Sequence, residues 1–133
     1  MASEEVSTKS PFESLKSEKF IQLTTFRKSG VGVGTPVWFA FDPQNDQRLY
    51  VNTPTTSGKI KRLKNNDRVL LAACTQRGQV HGPEIEARCH VVPESEHVQV
   101  NKIMAKQFGF LYFVFGIIGK ISRSQRTFLV IEA

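Results

Sequence analysis

The sequence predicts a mainly β chain whose six short strands close into a barrel with short helical additions. Three observations carry this. Runs of β-branched and aromatic residues recur at short intervals, turn clusters rich in Gly, Pro, Asn and Asp separate them, and no repeat or linker divides the series. The 133 residues suit one domain, 1–133, around one core.

Residues 1–12 read as a flexible arm. Ser10-Pro11 can open a short helix from Pro11 to Ser17, with Phe12 and Leu15 sharing a face. Phe20 to Phe26, FIQLTTF, has the composition of a strand, and Lys28-Ser29-Gly30 supplies a turn. The second strand runs from Gly32 to Asp42. Pro36 cannot donate to a ladder, so that end lies at an edge or bulge. Asp42 to Gln47, DPQNDQ, is a turn cluster before a third strand, Arg48 to Thr53.

Ser57 to Asn65 reads as a short basic helix. Arg68 to Thr75, RVLLAACT, is a continuous apolar strand, buried on nearly both faces. Arg77-Gly78 turns the chain into a fifth strand, Pro83 to Val92. Glu94 to Gln107 shows helical spacing through Val98, Ile103 and Met104, with Ser95 placed to cap it. The segment 108–121, FGFLYFVFGIIGKI, is strongly apolar but holds three glycines and Lys120 in 14 residues. A bilayer crossing needs about 20 apolar residues, so a core or interface helix is expected and no membrane attachment. Thr127 to Glu132 is the sixth strand.

Composition narrows the function classes. Apolar residues make up 40% and charged residues 23%, an ordinary globular balance, while the net charge of +6 suits a polyanionic partner. Nucleic acid is disfavoured, because no basic strand is interleaved with aromatics. Cys74 and Cys89 read as buried strand thiols of a reducing compartment. The polar opening MASEEVSTKS points to a cytoplasmic protein. His81, His90 and His97 lack metal-ligand spacing, so no metal is expected. No nucleophile signature or acid–base pair appears. No catalytic residue is therefore named, and a cofactor would have to supply any redox reactivity.

The informative stretch is Thr53-Pro-Thr-Thr-Ser57-Gly58-Lys59-Ile-Lys61-Arg62-Leu-Lys64. Ser57 is placed as an N-cap, with free backbone N–H groups and the positive end of the helix dipole behind it. Gly58 lets a ligand approach the backbone without meeting a Cβ. Lys59 and Arg62 share a face at i, i+3, and Ile60 and Leu63 form the core-facing pair. Taken alone, such a charge run is more often a solvated face. Two weaker elements stand near it in the pattern: Thr35-Pro36-Val37-Trp38, where Trp38 reads as core or as the wall of a planar ring, and Thr24-Thr25-Phe26-Arg27-Lys28 at a strand end.

Together KFIQLTTFRKSG, TPVWFAF and RLYVNTPTTSGKIKRLKNNDRVLLAACTQRG resemble the pyridoxamine 5'-phosphate oxidase-like split barrels, in particular the branch of probable coenzyme F420-dependent oxidoreductases. The likeness covers about residues 19 to 92 and resumes at Lys106-Gln107-Phe108-Gly109 and the last strand. It implies a six-stranded split β-barrel of the FMN-binding type, with a C-terminal helical hairpin, Glu94 to Ile121, before the last strand. It also implies a homodimer with the cofactor at the subunit interface, acting on a small-molecule substrate. By the family pattern Ser57 and Lys59 would hold the cofactor phosphate, with Gly58 between them as the open backbone, and Thr53 would lie near the ribityl chain and ring. Pro36, Val37 and Trp38 would line the ring. Lys61 and Arg62 would reach the phosphate or an acidic tail, and Arg77 with Gly78 would touch the cofactor across the interface. The cofactor implied is coenzyme F420, with FMN the alternative. The aromatic run Phe110, Tyr112, Phe113, Phe115 departs from the pattern.

Overall fold

The computed structural model describes residues 10–109 and 126–133. Six antiparallel strands form it: β1 (Phe20–Phe26), β2 (Gly32–Asp42), β3 (Asn45–Pro54), β4 (Arg68–Cys74), β5 (Ile85–Val91) and β6 (Arg126–Glu132). Their order around the closed barrel is β1-β2-β3-β6-β5-β4, with β4 pairing back onto β1. The last strand is thus inserted between β3 and β5, where Leu129 faces Val51 on one side and Val91 on the other. Two helices are added, α1 (Gly58–Asn65) and α2 (His97–Phe108).

Side chains alternate along each strand, so every second residue enters the barrel. The interior holds Ile21, Leu23, Phe39, Leu49, Val51, Val69, Leu71, Ala87, Cys89, Leu129 and Ile131. α1 turns Leu63 and Ile60 onto this core. α2 lies outside, where Val100 and Met104 pack on Ala40, Tyr50 and Phe128 to make a second cluster.

Both of the first two strands occupy their expected ranges. Between them Gly30 takes φ +90, a left-handed conformation that glycine adopts without strain, and its N–H donates to the Arg27 carbonyl. Elsewhere the local signals mislead. The expected helix from Pro11 to Ser17 is a 3-10 turn, Glu13–Leu15. Seven residues cannot repay helix nucleation, whereas one turn suffices to bury Phe12 and Leu15 together. Of the expected arm, residues 1–9 lie outside the described ones. Ser10 and Phe12 are buried, and the Ser10 hydroxyl donates to the Asp46 carbonyl.

β3 starts at Asn45 rather than Arg48, because only Pro43 and Gln44 turn. The Asp42 carboxylate accepts from the Gln44 N–H and tightens that hairpin. Ser95 does not cap α2. It sits in a preceding 3-10 turn, and no side chain caps the helix. Val98 is 70% exposed, because the buried stripe runs through Val100 and Met104 and residues i and i+2 face apart on a helix. The part of the helical hairpin beyond Gly109 falls outside the described residues, as do Phe110, Tyr112, Phe113 and Phe115.

Cys74 and Cys89 are free and buried. They occupy opposite ends of the β4–β5 ladder on alternate faces, so a disulfide is geometrically closed to them. Burial, aided by the Asp67 charge, pushes the Cys89 thiol up to about 12, which leaves it an inert core group. Among the described residues no helix is long and apolar enough to cross a membrane, and no cluster of metal-ligating side chains occurs. His81 pairs with Glu18 and His90 with Asp67 at the surface, while His97 contacts the Val92 carbonyl.

Candidate functional site

The site is built where β3 ends and α1 begins. Ser57 is the N-cap: its Oγ accepts from the Lys59 N–H at 3.2 Å and from Lys59 Nζ at 3.4 Å. The ammonium is thereby drawn back over the first turn of the helix. Lys59 is only 9% exposed, and burial, followed by the charge of Arg62, pushes its pKa down.

Arg62, one turn on, shares that face. Its Nε donates to Thr25 Oγ1 at 2.6 Å, and its Nη1 stands 2.7 Å from where a Cβ on Gly58 would be. Burial and then the neighbouring Arg27 charge lower the Arg62 pKa. Among the described residues neither Lys59 nor Arg62 has a carboxylate in ion-pair range. A buried and a partly buried cation with no acid between them are unfavourable for folding alone and favourable for an anion.

Thr53 is the penultimate residue of β3, four residues before Ser57. It is 2% exposed, and among the described residues its Oγ1 has no hydrogen-bond partner. A buried hydroxyl left unpaired is destabilising unless a ligand completes it. Thr35 Oγ1 and Gln22 Oε1 share this condition.

Pro36, Val37 and Trp38 are split by the strand's alternation. Val37 packs against the core, whereas Pro36 and Trp38 lie on the outer face of β2. Trp38 stacks on Phe108 of α2, with centroids 5.1 Å apart and planes at 22°, and meets Phe20 edge-on at 6.0 Å. The turn holding Arg77 and Gly78 reaches the same outer face: a Cβ on Gly78 would lie 3.6 Å from Pro36 and 3.4 Å from Gln22 Oε1. Arg77 itself is exposed.

The structure therefore brings Ser57, Gly58, Lys59, Arg62 and Thr25 into one cluster, and Pro36, Gly78 and Gln22 into another. β1 joins the two, since Thr24 faces Gly34 while Thr25 faces Arg62. Lys61 is not part of the first cluster. It is exposed and two residues from Lys59, hence on another face of α1. Sequence reasoning missed Gln22. Its only signal was a polar residue in an apolar strand, next to nothing local that would explain it.

The closed six-stranded antiparallel barrel, with a capped basic helix after its third strand, is a split-barrel fold. Residues 9–133 match the family described as pyridoxamine 5'-phosphate oxidase, and the chain belongs to that family. No curated protein sequence matches it. Among solved structures it is similar to the heme storage protein HutZ of Vibrio cholerae, at 17% identity and TM-score 0.64, over 97% of this chain and 87% of that one. A FAD-binding protein of Mesorhizobium loti is similar at 16% identity and TM-score 0.58, over 99% and 87%. An F420 reductase is similar at 18% identity and TM-score 0.53, over 90% of each chain. At these identities the likeness is one of fold.

Proposed function

We propose that this protein is an oxidoreductase that transfers a hydride between coenzyme F420, a deazaflavin, and a small planar organic substrate. The observation that carries the reading is the pair Lys59, buried, and Arg62, partly buried, on one face of α1, with no carboxylate in ion-pair range among the described residues. Those residues fit a ribityl phosphate: two cations for its charge, an open backbone at Gly58, and the unpartnered Thr53 hydroxyl for the adjoining chain. The acidic tail of the deazaflavin would meet Lys61 and Lys64 on the exposed side of α1, and the net charge of +6 favours it. The fold shared with an F420 reductase is in keeping with this choice.

When bound, the deazaflavin supplies two-electron hydride chemistry. The chain's own contribution is orientation and exclusion of water. Ser57, Lys59 and Arg62 would fix the phosphate end. Pro36 and Trp38, with the backbone at Val37, would bear on the ring. Arg77 would reach the cofactor held with a second copy of the chain in a homodimer. No side chain is assigned a catalytic role.

A second reading keeps the site and exchanges the cofactor for FMN, either in turnover or as carried cargo. The fold shared with a FAD-binding protein favours it. The full chain titrated with F420, FMN and phosphate-free riboflavin separates these. F420 should bind tightest and riboflavin weakest, and bleaching or recovery of the cofactor's visible band on adding enones or quinones should show turnover. Equal affinity for riboflavin and both phosphate-bearing cofactors would sink the reading.

Gly58→Ala gives a sharper outcome. The added methyl meets the far end of a flexible side chain, so it displaces the Arg62 guanidinium and leaves the helix intact. Alanine also favours the helix by up to about 1 kcal/mol. Melting temperature should hold or rise while affinity for FMN and F420 falls, measured by thermal melting beside the same titrations.

A further inference from the structure

Within the motif Thr24-Thr25-Phe26-Arg27-Lys28, Thr25 reaches the phosphate cluster only through Arg62 and has no direct part in holding the anion. Thr25 is 0% exposed, at the last inward position of β1. Its hydroxyl accepts from Arg62 Nε at 2.6 Å, across 37 residues of sequence. A guanidinium carries five N–H donors in a planar fork. With Nε engaged by Thr25, the Nη1 and Nη2 groups are left over Gly58, the first residue of α1.

This placement works against the local electrostatics. Arg27 and Lys59 both stand near Arg62, and burial and Arg27 together disfavour its charged form. An untethered arginine in that setting would extend into water, where its charge is solvated. Threonine is well suited to prevent it: branching at Cβ restricts χ1, and the backbone is held by β2 at Thr25 itself and by β4 up to the neighbouring Thr24.

We infer that Thr25 is a positioning residue that pins Arg62 through Nε, so that the terminal N–H groups of the guanidinium are presented at the start of α1 to the cofactor phosphate. This rests on the phosphate reading given above. Thr25 need not touch the cofactor. Its effect passes through Arg62 and is confined to ligands that carry the phosphate.

Thr25→Val keeps the shape and removes the acceptor. In the full chain, titrated by quenching of flavin fluorescence, Thr25→Val should raise the Kd for FMN about tenfold, or about 1.4 kcal/mol. The Kd for riboflavin should move less than twofold, and Thr25→Ser should restore FMN binding to within threefold of the parent. On an Arg62→Ala background, Thr25→Val should add no further loss. If Thr25→Val does not fold, Thr25→Ala carries the same comparison. Unchanged FMN affinity, parallel losses for FMN and riboflavin, or a further tenfold loss on the Arg62→Ala background would each overturn the inference. A parent protein that itself fails to prefer FMN over riboflavin overturns the phosphate reading, and this inference with it. A parent that does discriminate, paired with an indifferent Thr25→Val, overturns this inference alone.

Discussion

Lys59→Met should weaken the binding of FMN or F420 by at least about 1.5 kcal/mol, as expected for loss of a charge-assisted contact, and leave riboflavin binding nearly unchanged. Methionine retains the aliphatic stem, so the packing at this buried position is kept and only the charge is removed. The ligand-free protein supplies a second readout. Lys59 is a buried cation with Arg62 beside it and no carboxylate in range, so removing its charge should leave the melting temperature unchanged or raise it. Loss of binding together with loss of stability would instead mark Lys59 as structural.

The pH dependence follows from the same lowered pKa. In the folded, ligand-free protein the charged form of Lys59 is disfavoured relative to the unfolded chain. The unfolded state therefore holds the proton longer as pH rises, and stability contributed at this position increases between the lowered pKa and the ordinary lysine value. Binding runs the other way. A bound phosphate restores the proton to Lys59, so affinity is full below the lowered pKa and declines as pH rises through it. FMN titrations across the alkaline range should show this decline in the parent and a flatter profile in Lys59→Met.

Much of this was readable in the sequence where the determining interactions are local. The first two strands followed from β-branched runs on either side of a turn that needs Gly30, and α1 followed from a serine whose side chain caps its own helix two residues on. In α2 the expected Ile103 and Met104 do meet the second cluster, and only Val98 misled, being as apolar as the buried Val100. Only the outer surface of β2, β3 and β6 decides which of them is covered. The hydrogen bond from Arg62 to Thr25 and the stack of Trp38 on Phe108 join residues far apart in sequence. No periodicity encodes them. The same holds for the placement of β6 between β3 and β5, which is a property of closure rather than of any strand.

That closure makes Leu129 the position where a single truncation should do most harm. Leu129 is fully buried at the middle of β6, paired with both flanking strands. Leu129→Ala removes buried methyl groups from a closed barrel whose walls cannot collapse inward, so a loss of about 2 to 5 kcal/mol is expected. Against a typical total of about 5 to 15 kcal/mol, this leaves a marginal fold. The site lies at the end of β3, the strand that β6 holds on its far side, and so exists only while the barrel is closed. A ligand that binds the folded state alone adds stability by mass action, about 2.7 kcal/mol at a hundred times its Kd. Thermal melting of Leu129→Ala should therefore show a large drop that F420 or FMN reverses and equimolar riboflavin does not. Recovery by riboflavin to the same extent would mean that the ring, and not the phosphate, supplies the binding energy.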